Sequence, residues 1–227
     1  MGKAGKTERG RLTRARIVDA ATTLFCEQGY LNTTMAAIAA VADVAVQTLY
    51  LAFGSKVAIL TAAHDTAVVG DDEQTALLDR EWTTHVRDEL DGLRALRIVI
   101  ANTLAVVDRL GPLYDVIQTA AADAEVGELL TRAKDQRLAT MRALAAELAT
   151  KNGFAPSLSV DEAADILYTV VSNELRRILV IERHWPKEAW EQWAYESAGF
   201  RLFPHAALNP RKQRQSARTA SDDPSHR

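Results

Sequence analysis

The stretch Thr33–Lys56, TTMAAIAAVADVAVQTLYLAFGSK, decides the fold. It divides into two short helical patterns around a turn. Met35, Ile38, Ala39 and Ala42 recur at intervals of three and four, the spacing of one buried helical stripe. Thr33 and Thr34 stand ahead of them as N-cap residues, whose hydroxyls accept from the orphan N–H groups of a first turn. A second helix is expected from about Ala45 to Ala52, with Leu49 and Phe53 on its inner side. Asp43 falls where the chain must turn. Gly suits a left-handed turn position best, and Asp is among the few other residues that tolerate positive φ. Ala39, Asp43 and Leu49 stand four and then six residues apart, a spacing that suits a helix-turn-helix with a small residue at the crossing. The outer face of the second helix keeps Val46, Gln47, Tyr50 and Leu51, with Thr48 at its flank. These side chains offer hydrogen bonds and methyl groups without a carboxylate, a face able to meet base edges and phosphates.

Outward from this core, a helix is predicted from about Thr13 to Gln28, with Ile17, Ala20, Ala21, Leu24 and Phe25 on one stripe and Gly29 as its C-terminal cap. It would bury the helix-turn-helix from behind. A fourth helix would start at Ser55, an N-cap after Gly54, carry Ile59, Leu60 and Ala63 inward, and break at Gly70-Asp71-Asp72.

The span Arg16–Leu60 resembles the DNA-binding domain of the tetracycline-repressor (TetR) family of bacterial transcriptional regulators. The resemblance lies in the order and spacing of Ala20-Ala21, Leu24-Phe25, Gly29-Tyr30, Thr33-Thr34, Ile38-Ala39, Thr48-Leu49-Tyr50, Phe53 and Ser55-Lys56. It departs from the family's usual pattern at Asp43 and Gln47, where Gly is common, and at Val57, where an acidic residue is common. What the resemblance implies is a DNA-binding face of Thr33, Thr34, Val46, Gln47, Thr48, Tyr50, Leu51 and Lys56. Thr34, Tyr50 and Lys56 would hold the phosphate backbone while Val46, Gln47 and Thr48 face the bases.

Composition and charge agree with a helical DNA binder. Nearly half of the 227 residues are apolar, while Gly and Pro are sparse, which favours helices over a sandwich or barrel. Up to Leu60 there are seven basic and four acidic side chains, a net of plus three, so the remainder carries minus six of the total of minus three. A basic end on an acidic body suits a protein that meets DNA with one end. The single cysteine, Cys26, excludes an intramolecular disulfide and fits a reducing compartment; it reads as a small buried hydrophobe rather than a redox sensor. The first 17 residues hold no apolar signal region, and the most apolar run, Ile98–Val107, is too short to cross a membrane. A cytoplasmic location with no membrane partner is expected.

Beyond the fourth helix, residues 71 to 91 read as an acidic loop with a short helix. A helix from about Leu93 to Leu110 should close at Gly111-Pro112, with Pro112 opening the next one, to about Ala122. A long helix to Lys151 places Leu130, Ala133, Arg137, Met141, Leu144 and Leu148 on one face. Ser159–Glu162 is a capping-box pattern opening a helix to Glu182 that is apolar over a wide arc, as at a subunit contact. The last helix starts at Pro186 and aligns Trp190, Trp193, Ala194, Ser197 and Phe200. This closing pair resembles, more loosely, the carboxy-terminal pair of one branch of the same family, which implies a homodimer through a four-helix bundle. Val171, Leu175, Ile178, Trp190 and Trp193 are its expected interface residues.

No phosphate-binding glycine loop, cysteine pair or H-E-x-x-H motif occurs, and the five histidines lie far apart. Neither catalysis nor a cofactor nor a metal is expected; Asp71, Asp72 and Glu73 read as a solvated loop rather than a cation site. Asn102 lies in the apolar run, where a buried amide must find partners. It either orients a small ligand, with Tyr114, Gln118, Met141, Tyr168 and Asn173 lining the same cavity, or makes a structural bond. The expectation is therefore an all-α chain with a basic disordered arm (1–12), a three-helix helix-turn-helix DNA-binding domain (13–54), a helical ligand-binding and dimerisation domain (55–203) and a disordered tail (204–227). Its function would be that of a homodimeric repressor, released by a small-molecule effector from double-stranded DNA, a palindromic operator. The rival readings are an activator or ligand-independent DNA binder on the same fold, and an all-α enzyme or carrier.

Overall fold

In the computed structural model, residues 3–70, 78 and 80–204 are described, and among them every extended element is a helix. The order is α1 (Lys3–Asn32), α2 (Met35–Val41), α3 (Val46–Phe53), α4 (Lys56–Val69), α5 (Glu81–Asp88), α6 (Gly92–Ala120), α7 (Ala124–Ala149), α8 (Val160–Val170), α9 (Asn173–Arg176), a π-helical turn (Arg177–Glu182) and α10 (Lys187–Leu202). Asp71, Asp72, Glu73 and residues 205–227 lie outside the described residues. The described residues form two compact units, one within 1–79 and 105–137 and the other within 80–104 and 138–204. The long helices α6 and α7 each contribute one part to either unit.

In the first unit the stripe Ile17, Ala20, Ala21, Leu24 and Phe25 of α1 is buried together with Ile38 and Ala39 of α2, Leu49 of α3, and Ile59, Leu60 and Ala63 of α4. Leu110, Leu113 and Ile117 of α6 and Val126 and Leu129 of α7 belong to the same core. α1 begins at Lys3 and so takes in the stretch read as a disordered arm; an Arg11–Glu8 pair at 2.9 Å and a Thr13 hydroxyl donating to the Arg9 carbonyl support its early turns. At its far end the regular helix breaks at Gly29, whose φ of 81° lies in the region that favours glycine. Cys26 is exposed rather than buried, because it faces away from the Leu24–Phe25 stripe.

One expected break is absent and one unexpected break occurs. Helix α6 runs without interruption through Gly111-Pro112. A proline inside a helix removes one N–H donor, but Leu110, Leu113 and Ile117 are buried on both sides of it, and that packing outweighs the local penalty. The helix expected from Val160 to Glu182 is broken instead at Val171, with φ −108° and ψ 63°. Ser172 then serves as a new N-cap, its hydroxyl accepting from the Leu175 N–H at 3.1 Å. The chain resumes as one α-helical turn and one π-helical turn.

The second unit is tied by polar bonds as well as by its apolar core. The Lys151 ammonium, almost wholly buried, donates to the Arg87 carbonyl at 2.8 Å and pairs with Glu147 at 2.9 Å. Ala155 N–H donates to the Leu202 carbonyl at 2.8 Å, and the Arg97 guanidinium lies 3.8 Å from the Tyr195 ring centre. Gly92 gives the fully buried Phe203 ring its space, since a Cβ there would collide with the ring. The Ser159–Glu162 capping box forms as expected, and the Ser159 N–H and hydroxyl hold the Glu162 carboxyl below the usual carboxylate range.

Two outcomes follow from this packing. Gly92→Ala is expected to cost about 1–3 kcal/mol by overpacking against Phe203, read from urea unfolding. Glu162 has a depressed folded-state pKa, so its contribution is present above the unfolded value and is lost as pH falls through the folded one. The stability gap between wild type and Glu162→Gln should therefore be open at neutral pH and close in acid, as measured by melts across pH.

Candidate nucleic-acid interface

The turn between α2 and α3 is built from backbone bonds. The Val44 N–H donates to the Ala39 carbonyl at 3.0 Å and the Asp43 N–H to the Ala40 carbonyl at 3.3 Å. With Asp43 at φ 53°, this is a Schellman closure of α2 carried by Asp in the left-handed position. The two helices differ in direction by 107°, within the range of a helix-turn-helix. Ala39 and Ala42, both buried, allow the close crossing, and Leu49 is fully buried beneath α3.

Burying Leu49 fixes which residues α3 turns outward. Val46, Gln47, Tyr50 and Leu51 are exposed, Leu51 at 89 %, and Thr48 is half-buried beside them. Thr34 caps α2, its hydroxyl accepting from the Ala37 N–H at 3.1 Å, and remains exposed. Six of the eight residues of the expected DNA-binding face are thus brought to α3 and the start of α2 with solvent-facing groups. Thr33 and Lys56 are placed differently. Thr33 is buried, and its hydroxyl donates to the Gly29 carbonyl at 2.8 Å, closing the end of α1.

The Lys56 ammonium donates to the Tyr30 carbonyl at 2.7 Å and the Thr33 carbonyl at 2.9 Å, and lies 4.1 Å from the Tyr30 ring centre. Desolvation holds its pKa below the ordinary lysine value, a shift that the nearby Asp123 opposes. Two of the three ammonium donors are spent on the joint between α1 and α2. Arg14 is the residue that sequence reasoning missed. Its guanidinium donates to the Ala52 carbonyl at 2.7 Å and covers the Phe53 ring at 3.9 Å, fixing the last turn of α3. Its partners stand 38 and more residues away, and no local pattern announces them.

The other expected site residues are dispersed. Asn102 is half-buried, and its amide donates to the Ile98 carbonyl of its own helix at 2.8 Å. Tyr114 and Gln118 lie in the first unit, where the Gln118 amide donates to the Tyr114 hydroxyl at 2.6 Å. Asn102, Met141, Tyr168 and Asn173 belong to the second unit. There Met141 and Asn173 are buried, Tyr168 is half-buried, and the Asn173 side-chain oxygen has no hydrogen-bond partner among the described residues. Of the expected interface residues, Val171 and Trp190 are buried within the subunit, Leu175 and Trp193 are half-buried, and Ile178 is 45 % exposed. Among the described residues no group of His, Cys, Asp and Glu could hold a metal ion, and no single helix is long and apolar enough to cross a membrane.

Comparison with known proteins bears on this geometry. Residues 17–63 match the family model of bacterial regulatory proteins, tetR family. The comparison with curated proteins returns no match. Among solved structures, a protein from Mesorhizobium loti assigned to the TetR family of transcriptional regulators is similar at TM-score 0.66 and 21% identity, over 84% of this chain and 95% of that one. The transcriptional regulator FadR from Bacillus subtilis, in complex with stearoyl-CoA, is similar at TM-score 0.64 and 17% identity, over 83% and 97%. NalD, the secondary repressor of the MexAB-OprM multidrug efflux pump in Pseudomonas aeruginosa, is similar at TM-score 0.62 and 19% identity, over 87% and 99%.

The bonds of Lys56 make a stability difference that exposed face residues should not share. Lys56→Ala is expected to lower the unfolding free energy by about 1–3 kcal/mol, because two carbonyls lose a charged donor. Gln47→Ala should stay within about 0.5 kcal/mol of wild type. Urea titration of both variants reads the contrast.

Proposed function

Starting from an amino-terminal TetR-family DNA-binding domain carried on the fold of that family's regulators, we propose that the protein is a homodimeric repressor, released from a palindromic operator by a small molecule. The observation that carries this reading is the outer face of α3: Leu49 is fully buried, so Gln47 and Tyr50 stand outward with Val46 and Leu51. Gln47, flanked by Val46 and Thr48, reads base edges in the major groove; Thr34 and Tyr50 meet phosphates. Lys56 keeps one ammonium donor beyond the two bonded to carbonyls, and that donor contributes to phosphate binding. Residues 13–54 carry DNA recognition, and residues 55–203 carry effector binding and dimerisation. The similarity to NalD, a repressor, and to FadR, crystallised with stearoyl-CoA, supports the repressor and effector parts of the reading. The protein works in the cytoplasm, where its DNA is.

Dimerisation uses the apolar surface that the second unit leaves outward. Ile178 and Ile181 on the π-helical turn and Phe200 on α10 are exposed at 45 %, 49 % and 59 %. Leu175 and Trp193 extend this surface, with Val171 and Trp190 supporting it from within. A two-fold pair of such surfaces presents two copies of α3 to two half-sites.

Two measurements test the proposal. Gln47→Ala should relax preference at one base position in each half-site, by about 1–3 kcal/mol of discrimination. Affinities for a panel of single-base operator variants read this, and an unchanged preference profile would remove direct readout by Gln47. Ile178→Glu places a carboxylate in the proposed interface on an already exposed position, so the subunit should fold but sediment as a monomer at micromolar concentration. A variant that remains fully dimeric would place the interface elsewhere.

A further inference from the structure

The first unit contains a groove of about 500 Å³ between the last turns of α1 and the Pro112–Ala120 segment of α6. That volume falls within the range of small-molecule sites. Leu31, Pro112 and Val116 supply apolar surface over the buried rings of Phe25 and Tyr30, and Asp115 is the one formally charged residue lining it. Leu31 is 74 % exposed, an apolar side chain left uncovered at the groove's edge. The Asp115 carboxylate is exposed and has no ion-pair partner among the described residues.

We infer that this groove binds a lipophilic organic monocation, its apolar body against Leu31, Pro112 and Val116 and its charge beside Asp115. Charge complementarity selects the cation. No lysine, arginine or histidine lines the groove. The Lys56 ammonium, bonded to the Tyr30 and Thr33 carbonyls, is not part of the lining. The surroundings are acidic as well: Asp123 and Glu125 add to burial in pushing the Tyr30 phenol up, and Glu27 does the same for the Cys26 thiol. An anion of equal shape would meet this field unfavourably, while a cation gains from it.

The groove is distinct from Asn102, Met141, Tyr168 and Asn173, which lie in the other unit. Its walls include Gly29 and Tyr30, whose carbonyls accept from Thr33 and Lys56 at the joint that seats α2 and α4. A ligand there touches the backbone on which the helix-turn-helix rests. Any effect on operator affinity depends on the proposed DNA-binding function; occupancy of the groove does not.

Tetraphenylphosphonium and tetraphenylborate, near-identical in shape and opposite in charge, are the probes for the full-length chain. Cys26 lines the groove and is the only cysteine, so its alkylation at alkaline pH reports occupancy at this place. The phosphonium should bind in equilibrium dialysis and slow the alkylation of Cys26, and the borate should do neither. Asp115→Asn, a change at an exposed position, should weaken phosphonium binding about three- to fivefold. Thr119→Trp, which fills the groove from an exposed lining position, should abolish both binding and protection, with far-UV circular dichroism and the melt verifying that both variants fold. Absence of phosphonium binding at millimolar concentration would overturn the inference. So would equal binding of the borate, binding without protection of Cys26, or affinity indifferent to both substitutions.

Discussion

The arrangement of the DNA-binding helices depends on one ammonium group. Lys56, the first residue of α4, donates to the carbonyls of Tyr30 and Thr33 at the end of α1 and lies over the Tyr30 ring. Helix ends leave carbonyls without partners, and here those at the end of α1 are satisfied by the beginning of α4. α2 starts two residues after Thr33, so the same bonds fix where the helix-turn-helix begins. Partial burial makes the charged group costly in itself. The two short bonds to carbonyl oxygens and the aromatic face offset that cost.

A second cation does comparable work at the other end of α3. Arg14 reaches from α1 to the Ala52 carbonyl and covers Phe53, so α3 is held beneath by Leu49 and at its last turn by a guanidinium. The exposed side chains of α3 then stand on a helix with little freedom to rotate. Such rigidity suits direct base readout, where each bidentate contact demands a defined approach. The basic residues of the amino-terminal region therefore include some committed to internal bonds, and net charge alone overstates how many remain for phosphates.

The second unit meets its constraints by different means. Its carboxy-terminal helices are interrupted at Val171–Ser172 and continue through a π-helical turn, which changes the phase of the apolar pattern. Val171 turns inward and Ile178 outward. An uninterrupted helix would have spread these residues over a single continuous arc. With the break, one subset supports the subunit and another, with Phe200 of α10, remains uncovered.

What the sequence determined by itself was local. The periodic stripes of α1, α2 and α4, the caps at Thr34, Ser55 and Ser159, and the left-handed turn at Asp43 all rest on residues within a few positions of one another. The exposed face of α3 was legible for the same reason, because the position of Leu49 within one helix dictates where Gln47 and Tyr50 point. Other features required the tertiary structure. The continuation of α6 through Pro112 is decided by packing on either side of it, against a local preference to stop. The roles of Lys56 and Arg14 are decided by carbonyls 26 and 38 residues away. A donor's sequence neighbourhood holds no information about an acceptor that only folding brings within 3 Å, and so these residues were legible as charges but not as the bonds they make.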